Sequence, residues 1–104
     1  MVTKSELQGL LNQINNLNVS VPGAIGEYKL VVRQVAEKLQ SLQNEDKSPM
    51  LDAWITMGIG EIKKELEQRL LSDFESLNPD KQKTEFMYSK STVSMSLTNI
   101  LMHL

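Results

Sequence analysis

The apolar positions Ile25, Tyr28, Val32, Val35, Leu39 and Leu42 step by three and four residues in strict alternation. Only a helix gathers that spacing on one side, and only a neighbouring helix or sheet face can bury it. Shorter copies stand at Leu7, Leu10, Ile14 and Leu17, and again at Phe86, Val93, Leu97, Ile100 and Leu104. The pattern predicts helices packed on helices.

Capping residues and turn signals place the boundaries. Thr3 and Glu6 form a capping-box pattern, which opens a first helix running to about Leu17. Its polar face holds Asn12, Asn15 and Asn16; asparagine is a poor helix former, so this helix depends on packing. Asn18 to Gly23, with its Pro-Gly turn signal, ends it. A second helix runs from Pro22 or Ala24 to Gln43. Ser48-Pro49 joins an N-cap to a proline at the first helical position and starts a third helix reaching about Leu77. Ile62, Leu66, Leu70, Phe74 and Leu77 form its inner face, while Lys63 with Glu67 and Glu65 with Arg69 are spaced for surface ion pairs.

Gly58 and Gly60 each cost about 1 kcal/mol relative to alanine inside a helix, so a bend or break is expected near Met57–Gly60. Asn78-Pro79 repeats the cap-and-proline device and opens a fourth helix that continues to the end of the chain. Val93, Met95 and Leu97 also alternate as a strand would, but the three-four spacing extends past them and a lone strand would have no partner. The expected fold is all-α: an up-down antiparallel four-helix bundle, a single helical domain over 1–104, bent at Gly58–Gly60.

The last two helices carry more apolar residues than one buried face needs. Met50, Trp54 and Met57 form a second stripe, rotated away from Leu51, Ile55, Ile62 and Leu66. Tyr88, Met95 and Met102 recur every seventh residue, opposite Phe86, Val93, Leu97 and Ile100. These stripes hold four of the six methionines, the only tryptophan and one of the two tyrosines. Methionine is over-used on surfaces that accept partners, and tryptophan and tyrosine are enriched at interface hot spots. A helix wedged between two neighbours would also need a wide apolar face, and this alternative applies most to Trp54. Ser89, Ser91, Ser94 and Ser96 would let another helix approach closely, and the chain stops on an apolar stretch ending in Leu104.

Composition narrows the chemistry. The 104 residues suffice for one modest core. Eleven basic residues are scattered among thirteen acidic ones for a net charge of −2, which argues against nucleic acid as a partner. Without cysteine the chain has no disulfide, thiol nucleophile or cysteine zinc site. The first residues lack the apolar core of a secretory signal, and no apolar run has the length of a membrane span. The last helix lacks the basic polar face of an interfacial helix. A cytoplasmic location is expected, with export by a signal-free route left open.

His103, the only histidine, has no orienting partner in sequence of the kind a catalytic base or metal ligand needs. Glu61, Glu65 and Glu67 alternate with Lys63, Lys64 and Arg69, as on a solvated helix face. Gly58-Ile59-Gly60 lacks the strand and third glycine of a dinucleotide loop, and Glu45, Asp46 and Asp52 miss the calcium-loop spacing. No catalytic residue, metal, cofactor or small-molecule substrate is therefore expected. The expected function is a non-enzymatic protein-interaction module, such as a small adaptor, chaperone or inhibitor. Its interface would comprise Met50, Trp54, Met57, Tyr88, Met95, Met102 and Leu104. The alternative is a self-assembling subunit, a dimer or filament joined through the apolar C-terminal helix; the partner is then another copy in a homo-oligomer.

Overall fold

The computed structural model describes residues 3–18, 23–69 and 78–104. It contains four α-helices: α1 (Lys4–Asn16), α2 (Ala24–Gln43), α3 (Pro49–Lys64) and α4 (Pro79–Met102). A single π-turn, Glu65–Arg69, extends α3. Each helix packs on its neighbours in chain order, and α4 closes the ring against α1.

The expected caps form. Thr3 Oγ1 accepts from the Glu6 amide at 3.2 Å, and the Glu6 carboxylate accepts from the Thr3 amide at 3.0 Å. Ser48 Oγ accepts from the Leu51 amide and Asn78 Oδ1 from the Lys81 amide, each with proline following in the first turn. Each cap satisfies an amide that the helix start leaves without an intrahelical carbonyl. Gly23 opens α2 from a left-handed conformation, φ 81°, which side chains with a Cβ resist. At the other end of α2, Lys47 donates to the Gln43 and Glu45 carbonyls and pairs with Asp52 at 3.4 Å. One side chain thus ties the end of α2 to the start of α3.

All six residues of the α2 stripe are buried, with Leu7, Leu10, Leu11 and Ile14 from α1, Leu51, Ile55, Ile59 and Ile62 from α3, and Phe86, Val93, Leu97, Ile100 and Leu101 from α4. Contacts between helices fix their directions. Gln43 Nε2 donates to Thr56 Oγ1 at 3.0 Å between α2 and α3. Trp54 stacks on His103, and Gly58 faces Ile100 and Ser96 between α3 and α4. Gly58 also faces Leu39, so a step forward in α3 from Thr56 to Gly58 is a step back in α2 from Gln43 to Leu39. From Trp54 to Gly58 it is a step back in α4 from His103 to Ile100. Both pairs run antiparallel, as in an up-down bundle. The Ser/Thr-rich segment of α4 is helical throughout; burial of Val93, Leu97 and Ile100 outweighs its weak local propensity.

The expected break in α3 and the expected solvated face of Glu65 are not found. The helix is unbroken through Gly58 and Gly60, and the departure from α geometry comes later, at the π-turn. Gly58 is buried where a Cβ would stand 3.0 Å from Ile100 Cδ1, so this glycine admits α4 to close range and breaks nothing. Glu65 is not on a solvated face: it is 4% exposed. The stripe Leu51, Ile55, Gly58, Ile62 and Glu65 steps by four and three and carries Glu65 into the core. Leu66 is partly buried beside it, whereas Leu70, Phe74 and Leu77 lie outside the described residues.

Candidate functional site

Of the residues expected at an interface, five stand well out of the core. Met50 is 62% exposed, Met57 61%, Tyr88 60%, Met95 66% and Met102 74%. Leu104 is less open, at 39%. Trp54 differs: it is partly buried against the core, with its ring stacked on that of His103 at a centroid distance of 5.4 Å. The α3 stripe therefore presents two methionines with an anchored indole between them. His103 has a structural place in this contact, and its Nδ1 lies 2.8 Å from the Asn99 carbonyl oxygen.

Three of the four serines of α4 are used inside the bundle. Ser89 is fully buried, with its Oγ 2.7 Å from Tyr28 Oη. Ser94 donates to Asn15 Oδ1 of α1, and Ser96 lies near Gly58 of α3. Only Ser91 of the four is exposed. Met87, 58% exposed, lies beside the end of α1 with Lys83 and Lys90.

The outer face of α4 has a regularity of its own. Thr84, Tyr88, Ser91, Met95, Thr98 and Met102 are all exposed, and none is charged. From Ser91 to Leu104 there is no Asp, Glu, Lys or Arg. On α2, by contrast, Glu27, Arg33 and Glu37 are exposed, and on α3 Asp52, Glu61, Lys63 and Lys64. Water solvates those faces well. It solvates the thioethers and phenol ring of α4 poorly, and large exposed apolar groups in a row mark interaction surfaces.

Two clefts open among the described residues, the first polar and the second more apolar. One, about 430 Å³, is lined by Glu61, Lys64, Glu65, Gln68, Glu85 and Thr92 between α3 and α4. The other, also about 430 Å³, lies where the end of α1 meets Lys83, Phe86, Met87 and Lys90. Among the described residues no group of three His, Cys, Asp or Glu side chains could hold a metal ion. No described helix is long and apolar enough to cross a membrane.

No protein family model, curated protein or solved structure matches this chain. The functional reading therefore rests on the exposed surface alone.

Proposed function

We propose that this chain is a non-enzymatic protein-interaction module of the adaptor, chaperone or inhibitor kind, acting through the apolar surfaces of α3 and α4. The observation that carries the reading is the exposure of Met50, Met57, Tyr88, Met95 and Met102 on a bundle whose core is already filled by other residues. Flexible thioethers adapt to a partner's shape, and Tyr88 supplies a rigid amphipathic anchor. Trp54, held by His103, supports the α3 part from behind, and Leu104 lies at the margin. A cytoplasmic setting fits a cysteine-free chain, and no nucleic acid, membrane, cofactor or small-molecule substrate enters this reading.

The test is capture on the immobilised chain from a native extract, repeated with Met57→Glu and Met95→Glu. Both positions are exposed, so each variant should unfold at the parent's temperature. A protein retained by the parent and lost from both variants is the expected result. Equal retention by parent and variants would overturn the reading.

Self-assembly, the second reading, is favoured by one specific observation, the uncharged and regularly spaced outer face of α4.

A further inference from the structure

We propose that the outer face of α4 is a seam for a second copy of this chain, packed antiparallel. The proposal rests on the reading above that this face is a protein interface, and it names the occupant.

The first argument is spacing. Thr84, Tyr88, Ser91, Met95, Thr98 and Met102 advance by four and three residues in strict alternation, and every one is exposed. That is the repeat of a helix–helix seam, in which residues at two heptad positions meet the facing helix. The buried face of α4 (Phe86, Ser89, Val93, Leu97 and Ile100) is committed to its own bundle. The exposed repeat is therefore additional to the repeat that folds the chain.

The second argument is size. One heptad position holds Tyr88, Met95 and Met102; the other holds Thr84, Ser91 and Thr98. In a parallel pair, like positions face one another, so large layers would alternate with small ones, crowded and then gapped. In an antiparallel pair, each position faces the other kind. Tyr88 then meets Thr98 of the second copy, Met95 meets Ser91, and Met102 meets Thr84. Every layer places one large side chain opposite one small one, as knobs-into-holes packing requires. The arrangement is two-fold symmetric and therefore closes as a dimer.

The third argument is charge. The seam carries none, so two copies meet there without like-charge repulsion, and a partner selected by charge finds nothing to pair with. In this register Lys81, Lys83 and Glu85, in the first turns of α4, fall beside the second copy's uncharged last turns. The seam is about 27 Å long at ~1.5 Å per residue. A single helix pair of that length buries less than the roughly 1,600 Å² of a standard stable interface. The dimer is accordingly weak and concentration-dependent.

The experiment combines sedimentation velocity, from low micromolar to millimolar chain, with oxidative crosslinking. The chain has no cysteine, so introduced thiols report without background. The parent should move from monomer towards dimer as concentration rises. Met95→Glu should stay monomeric while keeping the parent's circular dichroism and unfolding midpoint. A mixture of Tyr88→Cys and Thr98→Cys chains should give a crosslinked dimer. Either variant alone should give little, because like positions would lie about 15 Å apart along the axis. Mixing Met95→Glu with Ser91→Lys chains should restore the dimer, a readout that does not depend on the thiol variants folding.

A monomer at every concentration, a dimer untouched by Met95→Glu, or self-crosslinking of each single variant in place of the mixture would overturn the proposal. A monomer that still captures a different protein, lost on Met95→Glu, would overturn self-pairing and leave the interface reading standing. A monomer that captures nothing would overturn both.

Discussion

Tyr28 of α2 and Ser89 of α4 meet hydroxyl to hydroxyl at 2.7 Å in the centre of the bundle. These helices lie across the diagonal, and the tyrosine ring spans the gap with Phe86 tilted beside it at 4.9 Å between centroids. Both residues are removed from water, so deleting either hydroxyl removes a buried hydrogen bond. Tyr28→Phe and Ser89→Ala should each lower stability by about 1–2 kcal/mol. The double variant should lose less than the sum, with a coupling of about 1 kcal/mol. Urea unfolding of the four chains measures it, and strict additivity would show that the two groups do not act as a pair.

Glu65 occupies a core position of the α3 stripe. Burying a carboxylate is costly even where it is well accommodated, and exchange of buried charge for packed apolar volume is often neutral or stabilising. Glu65→Leu should therefore raise stability by about 1 kcal/mol, read from the denaturant midpoint. A marked loss would mean that the carboxylate is needed to hold the π-turn.

Gly58 and Gly60 are two residues apart in one helix and should respond differently to alanine. Nothing stands within 4 Å of a Cβ placed on Gly60, whereas one on Gly58 meets Ile100 at 3.0 Å, Leu39 at 3.6 Å and Ser96 at 3.8 Å. Gly60→Ala should stabilise by about 0.5–1 kcal/mol through helix propensity. At Gly58 the same gain is opposed by displacement of Ile100, so Gly58→Ala should fall below Gly60→Ala. Thermal unfolding of the two variants compares them directly, and equal gains would remove the close-packing role given to Gly58.

These sites mark the limit of what could be read from the chain. The α2 stripe, the Thr3–Glu6 box and the Ser48-Pro49 and Asn78-Pro79 starts are local signals, set by residues three or four apart, and each appears in the structure as read. The exposure of the Tyr88, Met95 and Met102 stripe followed from periodicity in the same way. What was not legible depends on what lies across a contact. Gly58 resembles a helix breaker until Ile100 is found against it. Trp54 resembles a surface anchor until His103, from the far end of the sequence, is found stacked on it. The burial of Glu65 was accessible to periodicity, through the stripe of Leu51, Ile55, Gly58 and Ile62. The neighbouring charges of the segment concealed it.

Lys90 connects two distant parts of the chain. Its Nζ donates to the Asn15 carbonyl at 3.3 Å and to the Leu17 carbonyl at 3.1 Å, and lies 5.9 Å from the centre of the Phe86 ring. The last carbonyls of α1 lack intrahelical donors, and the last turn of α1 carries no basic residue of its own. Lys90→Met keeps much of the stem's packing and removes the donor; it should cost about 1 kcal/mol. Hydrogen exchange should quicken at the end of α1 more than in α2 or α3. Uniform acceleration along the chain would instead indicate a general loss of packing.

That lysine also sets an order of events. The asparagine-rich first helix receives the donor that finishes its C-terminal end from a residue more than seventy positions downstream. During synthesis, α1 leaves the ribosome long before Lys90 exists. The hairpin of α2 and α3 can assemble earlier and α1 can begin to pack on α2, but the end of α1 is finished only when α4 has been made and docks beside it. Contacts this far apart in sequence are the slow ones to establish. Although synthesised before α2, α3 and α4, the end of α1 is thus among the last parts of the bundle to be secured.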